Sequence, residues 1–138
     1  MQLEEIMTSL VETVAPDASL ADAARKMLAF EIGLLPVAKD QEIVGIVTDR
    51  DITIRAVAKG LDPERTEVQA VMTTEVYSCR TGSDVMDACT LMEEKQVRRL
   101  LVMDAAAVPI GIVSLGDIAL HLRREQSGQV LKRVSQPS

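Results

Sequence analysis

Gly45-Ile46-Val47-Thr48-Asp49-Arg50-Asp51 is written twice in this chain, the second time as Gly111-Ile112-Val113-Ser114-Leu115-Gly116-Asp117. In both, aliphatic residues run up to a hydroxyl, and an aspartate follows three places later. β-Branched residues favour a strand. Thr or Ser with an acid three places on opens a helix, because the hydroxyl accepts from the N3 N–H while the acid accepts from the N-cap N–H. The stretch therefore predicts a strand-to-helix joint. Such a joint can also carry chemistry. The first helical turn offers unpaired N–H groups and partial positive charge to an anion, and a carboxylate, which only accepts, can take both hydroxyls of a ribose. Capping alone accounts for either copy taken singly. Two copies at matched places add weight to binding, and the same residues can do both.

Outward from this joint the match continues. At an offset of 65, Met7-Thr8 recurs as Met72-Thr73, Val11 as Val76, Asp22-Ala23 as Asp87-Ala88, Met27 as Met92, Leu35 as Leu100 and Val37 as Val102. One residue is then inserted, and Gly45 to Ile52 falls on Gly111 to Ile118 at an offset of 66. Ordered matches with one gap mark an internal duplication. Each copy predicts β-α-β-β-α. A short extended piece (Val11 to Val14, Val76 to Cys79) precedes a helix capped at Ser19 or Asp84, whose apolar face is Leu20, Ala23, Ala24, Met27 and Leu28, or Val85, Ala88, Cys89 and Met92. A hairpin follows: Leu34–Ala38 and Glu42–Val47 around Lys39-Asp40-Gln41, then Arg99–Met103 and Val108–Val113 around Asp104 to Ala107. Pro36 suggests an edge or a strand end. Second helices run from Asp49 to Lys59, ended by Gly60, and from Leu115 to about Glu125. The divisions are residues 1–60, the first copy with a lead-in helix over residues 1–9; 61–71, a linker; 72–126, the second copy; and 127–138, a polar tail.

Composition narrows the function. Apolar residues make up 47% of 138 and aromatics 1%, so the core is aliphatic and the rings that single-strand nucleic-acid binders stack on are missing. The net charge of −6 falls in residues 1–69, with 13 acidic and 7 basic side chains, against eight of each in the remainder. An acidic chain repels phosphate backbones, which argues against nucleic acid. Cys79 and Cys89 fit no zinc spacing and read as reduced thiols. The start lacks a signal-peptide pattern and no apolar run reaches membrane-spanning length, so a cytoplasmic protein without membrane partners is expected. One histidine, His121, with no P-loop and no nucleophile elbow, argues against an enzyme. Asp49-Arg50-Asp51 makes a poor metal site, since helical neighbours point to different sides; no metal is expected. Arg123, Arg124, Lys132 and Arg133 read as a solvated basic surface.

With both copies of Gly-apolar-apolar-Thr/Ser-x-x-Asp and the strand Leu35-Pro36-Val37 in view, the chain resembles the CBS-domain family, as a tandem pair or Bateman module similar to small stand-alone bacterial two-CBS proteins. Leu101 stands where the second copy would carry the family's Pro. The resemblance covers nearly the whole chain. It implies an α+β fold of two β-α-β-β-α units in a pseudo-two-fold pair with two clefts, adenosine-nucleotide binding in those clefts, and homodimerisation. Thr48 with Asp51 and Ser114 with Asp117 would then hold ribose hydroxyls, and backbone near Thr13 and Ser78 would line the adenine. A basic residue just before the Leu-Pro-Val element would meet phosphate. The second copy has Arg98 and Arg99 there, and the first has Gly33 and Leu34. Unequal clefts are expected, although the two arginines also read as a solvated helix-end pair. The reading is a regulatory module sensing AMP, ADP, ATP, NAD or S-adenosylmethionine, with no obligatory cofactor and an unknown regulated partner. The alternative is a ligand-free interaction and dimerisation module.

Overall fold

The computed structural model describes residues 1–10 and 12–135, with side chains through Glu125. In chain order its elements are β1 (Thr8–Ser9), α1 (Leu20–Phe30), β2 (Leu34–Lys39), β3 (Glu42–Thr48), α2 (Asp49–Ile52, running on as a π-type turn Thr53–Val57), β4 (Ser78–Arg80), α3 (Val85–Lys95), β5 (Arg99–Met103), β6 (Pro109–Ser114) and α4 (Leu115–Ser135). Short 3-10 turns form at Leu3–Glu5 and Val68–Ala70. The fold is α+β. Val11, placed in the first extended piece, lies outside the described residues.

The chain divides into two compact units, Val11–Val76 and Met1–Leu10 with Tyr77–Ser138. These are called the first-copy and second-copy units below. Both cores are aliphatic and match position by position. Leu20, Ala23, Met27, Leu35, Val37 and Val47 in the first correspond to Val85, Ala88, Met92, Leu100, Val102 and Val113 in the second. The buried stripe of α1 is narrower than its apolar pattern. Ala24 is exposed and Leu28 is 81% exposed. One flat hairpin covers a strip of positions i, i+3 and i+7, not a broader face.

A two-stranded hairpin is marginal by itself and needs further elements packed against it. One such element comes from the other copy's lead-in. Residues 1–9, grouped with the first copy in sequence, form a 3-10 turn and β1 instead of a helix, and they belong to the second-copy unit. The Leu3 side chain is fully buried among Val85, Ala88 and Val113. Its N–H donates to the Ser83 carbonyl at 3.2 Å, and β1 pairs antiparallel with β6, Thr8 opposite Ile112. The first-copy unit repeats this with residues 66–73, the second half of the expected linker. Val68 fills its core, the Val68 N–H donates to the Ala18 carbonyl at 2.8 Å, and Thr73 bridges Ile46. The glycine of the repeated motif lets the lead-in approach. A Cβ at Gly45 would stand 2.8 Å from Met72 Sδ and 2.9 Å from the Thr73 carbonyl oxygen, and one at Gly111 would collide with Met7.

In the second-copy unit the sheet order is β1-β6-β5-β4, antiparallel except for β4 against β5. The first-copy unit keeps the β2–β3 hairpin, turned at Asp40 and Gln41 with φ of 51° and 69°. Pro36 lies in β2, an edge strand of the two-stranded β2–β3 sheet as expected, though not at the strand's end. It is fully buried within β2, opposite Ile46. Its ring is tolerated because the N–H it lacks would face the first extended piece, where pairing is one parallel bridge between Val14 and Val37. Leu101 keeps that N–H and donates it to the Tyr77 carbonyl at 2.9 Å, so the piece becomes the three-residue β4 in the second copy. Helix α4 continues past Glu125 to Ser135, ten residues beyond the expected end, because a single glycine, Gly128, does not stop a run of helix-forming residues.

If Leu3 closes the second core, Leu3→Ala costs about 2–5 kcal/mol, as for other buried leucines. Urea unfolding measures this; a loss under about 0.5 kcal/mol, the size of a surface change, would remove the lead-in from the core.

Candidate functional site

At the first joint, the Thr48 N–H donates to Asp51 Oδ2 at 3.0 Å and the Asp51 N–H donates to Thr48 Oγ1 at 3.0 Å. At the second, the Ser114 N–H donates to Asp117 Oδ2 and the Asp117 N–H to Ser114 Oγ, each at 3.0 Å. Both pairs are complete capping boxes, and each uses one carboxylate oxygen. The copies differ in access: Thr48 and Asp51 are buried, whereas Ser114 and Asp117 are half-buried.

Register positions the remaining candidates. Strand β2 separates Thr13, beside Val14, from Thr48, which is opposite Leu34. Strand β5 likewise separates Ser78, opposite Leu101, from Ser114, opposite Arg99. Each extended-piece residue is thus two strand spacings across and two residues along from its hydroxyl, roughly 12 Å. Thr13 is half-buried and Ser78 exposed. Arg99 is exposed and directly across from Ser114, so the two share a face of the sheet. Arg98, the residue before, lines a different hollow of about 280 Å³ with Cys89, Met92 and Leu115. Asp117 lines one of about 230 Å³ with Glu5, Met7, His121 and Arg124. The two arginines therefore do not act as one cluster, and Arg99 is the one on the Ser114 side.

Two further residues stand one helical turn after the aspartates. Arg55 Nε lies 3.8 Å from Asp51 Oδ1 and its Nη1 donates to the Val71 carbonyl at 3.3 Å. His121 holds the matching place after Asp117, and its Nε2 pairs with Glu125 Oε1 at 3.3 Å. The motif read by itself passed over both; extending the repeat by four residues finds them. Near Thr13, Lys26 Nζ donates to the Thr13 carbonyl at 2.7 Å and to Glu12 at 3.3 Å. The Thr13 N–H, and next the Lys26 ammonium, hold the Glu12 carboxyl below its usual range. Cys79 and Cys89 are free thiols. Burial, reinforced by the charge of Asp87, pushes the Cys79 thiol up, so it stays protonated and unreactive at neutral pH.

A family model described as "CBS domain" matches the chain twice, at residues 3–57 and 68–124. The chain belongs to the CBS-domain family. Among relatives, the CBS domain-containing protein YhcV of Bacillus subtilis is 37% identical over 134 residues, covering 96% of this chain and 94% of its own length. Hypoxic Response Protein I, solved with two coordinated zinc ions, is 34% identical with a TM-score of 0.69, over 88% of this chain and 98% of its own. A hexameric CBS-CP12 protein from bloom-forming cyanobacteria is 30% identical with a TM-score of 0.76, over 86% of this chain and 66% of its own. This CBS pair shares that architecture of regulatory, ligand-binding modules. Among its described residues no three His, Cys, Asp or Glu side chains are grouped to hold a metal. Nor is any described helix long and apolar enough to cross a membrane.

The capping role predicts that Thr48→Ala lowers stability by about 1 kcal/mol while Thr48→Ser keeps most of it. Denaturant midpoints of the two variants read the difference directly; equal midpoints for alanine and wild type would mean that Thr48 does not hold the joint.

Proposed function

We propose that this CBS pair is a regulatory module that senses an adenine nucleotide through the second copy. The observation that carries the reading is the Ser114–Asp117 pair. It is half-buried, its Asp117 lines a hollow of about 230 Å³, and it commits one carboxylate oxygen to its helix cap. Asp117 Oδ1 is left to accept ribose hydroxyls, and the Ser114 hydroxyl, accepting from Asp117, can still donate. Arg99 across the strand supplies a cation for phosphate. Backbone at Ser78, on the far side of β5, is the place for the base. Binding rather than catalysis is supported by the chemistry at hand: the one histidine of the chain is engaged with Glu125, and the aspartate is engaged as a cap.

A second reading, self-association without a ligand, is favoured by the hexameric relative and by Leu28 and Phe30, 81% and 45% exposed on α1. Light scattering with and without nucleotide follows it directly.

The test is a thermal-shift series with AMP, ADP, ATP, NAD and S-adenosylmethionine. A true ligand at a hundred times its Kd adds about 2.7 kcal/mol of stability. Arg99→Ala should then weaken a phosphorylated ligand about tenfold or more in calorimetry, the scale of one charge-assisted hydrogen bond, with Arg98→Ala having less effect. No shift with any of the five ligands would favour self-association.

A further inference from the structure

Both copies carry the hydroxyl–aspartate pair, but their surroundings are not interchangeable. In the first copy the groups matched to a ligand already face cations of the same chain. The Thr13 carbonyl accepts from Lys26 Nζ at 2.7 Å, and Lys26 is tethered further by Glu12 at 3.3 Å. The carboxylate oxygen that the cap leaves over, Asp51 Oδ1, faces Arg55 Nε at 3.8 Å, with Arg55 also anchored on the Val71 carbonyl. A third difference is one of charge. The Asp49 carboxylate lies over Gly33, where even a Cβ would come within 2.8 Å of Oδ2. The Asp49 N–H donates to the Gly33 carbonyl at 2.9 Å, as the Leu115 N–H does to Arg98 at 2.8 Å. Where the second copy carries Arg98 and a neutral Leu115, the first carries a bare glycine under a negative charge.

The second copy lacks these self-made contacts for chemical reasons. Leu91 stands at the Lys26 position and has no donor to give Ser78. His121 stands at the Arg55 position, is a shorter side chain, and turns its Nε2 to Glu125 at 3.3 Å.

We infer that the first copy is self-liganded, with Lys26 and Arg55 occupying the places of a ligand's donors, so that the chain takes one nucleotide, in the second copy. This rests on the nucleotide reading above and goes beyond it. A base amine or a ribose hydroxyl entering the first copy displaces charge-assisted hydrogen bonds, which weakens it there by at least about tenfold relative to the second copy, and the Asp49 carboxylate repels its phosphate. The first copy then acts as a structural counterpart whose site is closed by its own side chains.

The test is calorimetric stoichiometry on the full chain, with AMP, ATP and S-adenosylmethionine as probes. Wild type should bind one molecule per chain, and Asp117→Asn should remove it. Lys26→Leu with Arg55→His, which gives the first copy the second copy's residues, should raise the count to two. The reciprocal variant, Leu91→Lys with His121→Arg, should weaken the wild-type site at least about tenfold, and it keeps the idea testable if the first variant does not fold. Two molecules per wild-type chain would overturn the self-liganded copy and leave the nucleotide reading standing. So would a count that stays at one in the Lys26/Arg55 variant, whereas binding that survives Asp117→Asn would overturn sensing through the second copy. One molecule bound by the Lys26/Arg55 variant and none by wild type would uphold self-liganding and overturn sensing through the second copy. Binding by neither protein would overturn both.

Discussion

Burial of Leu3 and Val68 is the contact on which the rest of this structure depends. Each β-α-β-β-α copy packs two helices on one hairpin, and the core so formed is completed by a residue of the lead-in. Leu3 closes the second core and Val68 the first, with matching backbone hydrogen bonds to Ser83 and Ala18. Closing the core brings a lead-in strand against β6 or β3, and that approach requires the glycine at 111 or 45. The glycine that opens the repeated motif is therefore a packing requirement as much as a strand residue. By clearing room for Met7 or Met72, it holds the joint three residues later in a defined place.

The joint has the chemistry for two jobs at once, because a carboxylate has two oxygens and a hydroxyl can both accept and donate. In either copy one oxygen of the aspartate closes the capping box. What distinguishes the copies is the claimant for the other oxygen: a long, always-charged arginine one turn on in the first, and an imidazole drawn to Glu125 in the second. Stability needs the cap in both copies. Ligand chemistry needs a free oxygen, and only the outer residues decide whether there is one.

Much of this was legible in the sequence, for identifiable reasons. Period-3.6 burial at Leu20, Ala23 and Met27, the hairpins, and both capping boxes follow from local rules, and local rules survive folding. The lead-in was misplaced because its partners, Ser83 and Ile112, are far away in the chain, and no local pattern announces a distant partner. Ala24 and Leu28 were over-read because an apolar residue on a helix face need not meet anything. Pro36 was assigned to an edge because proline lacks a donor, and it does lie in an edge strand, with only a single bridge on its outer side. Arg55, His121 and Lys26 were passed over because they lie outside the shared motif, and it is where the copies differ, not where they agree, that they act.

The division of the chain has a consequence for the order of assembly. The second-copy unit is made of two separated pieces, with the whole first-copy unit inserted between Leu10 and Tyr77. No single scission yields two complete halves. During synthesis, which proceeds from the N-terminus, Leu3 is made well before Val85 and Val113, and its burial waits for them. The first-copy unit can close as soon as Val71 is available, while the opening segment stays unsatisfied until the last strand arrives. Such long-range closure is slow.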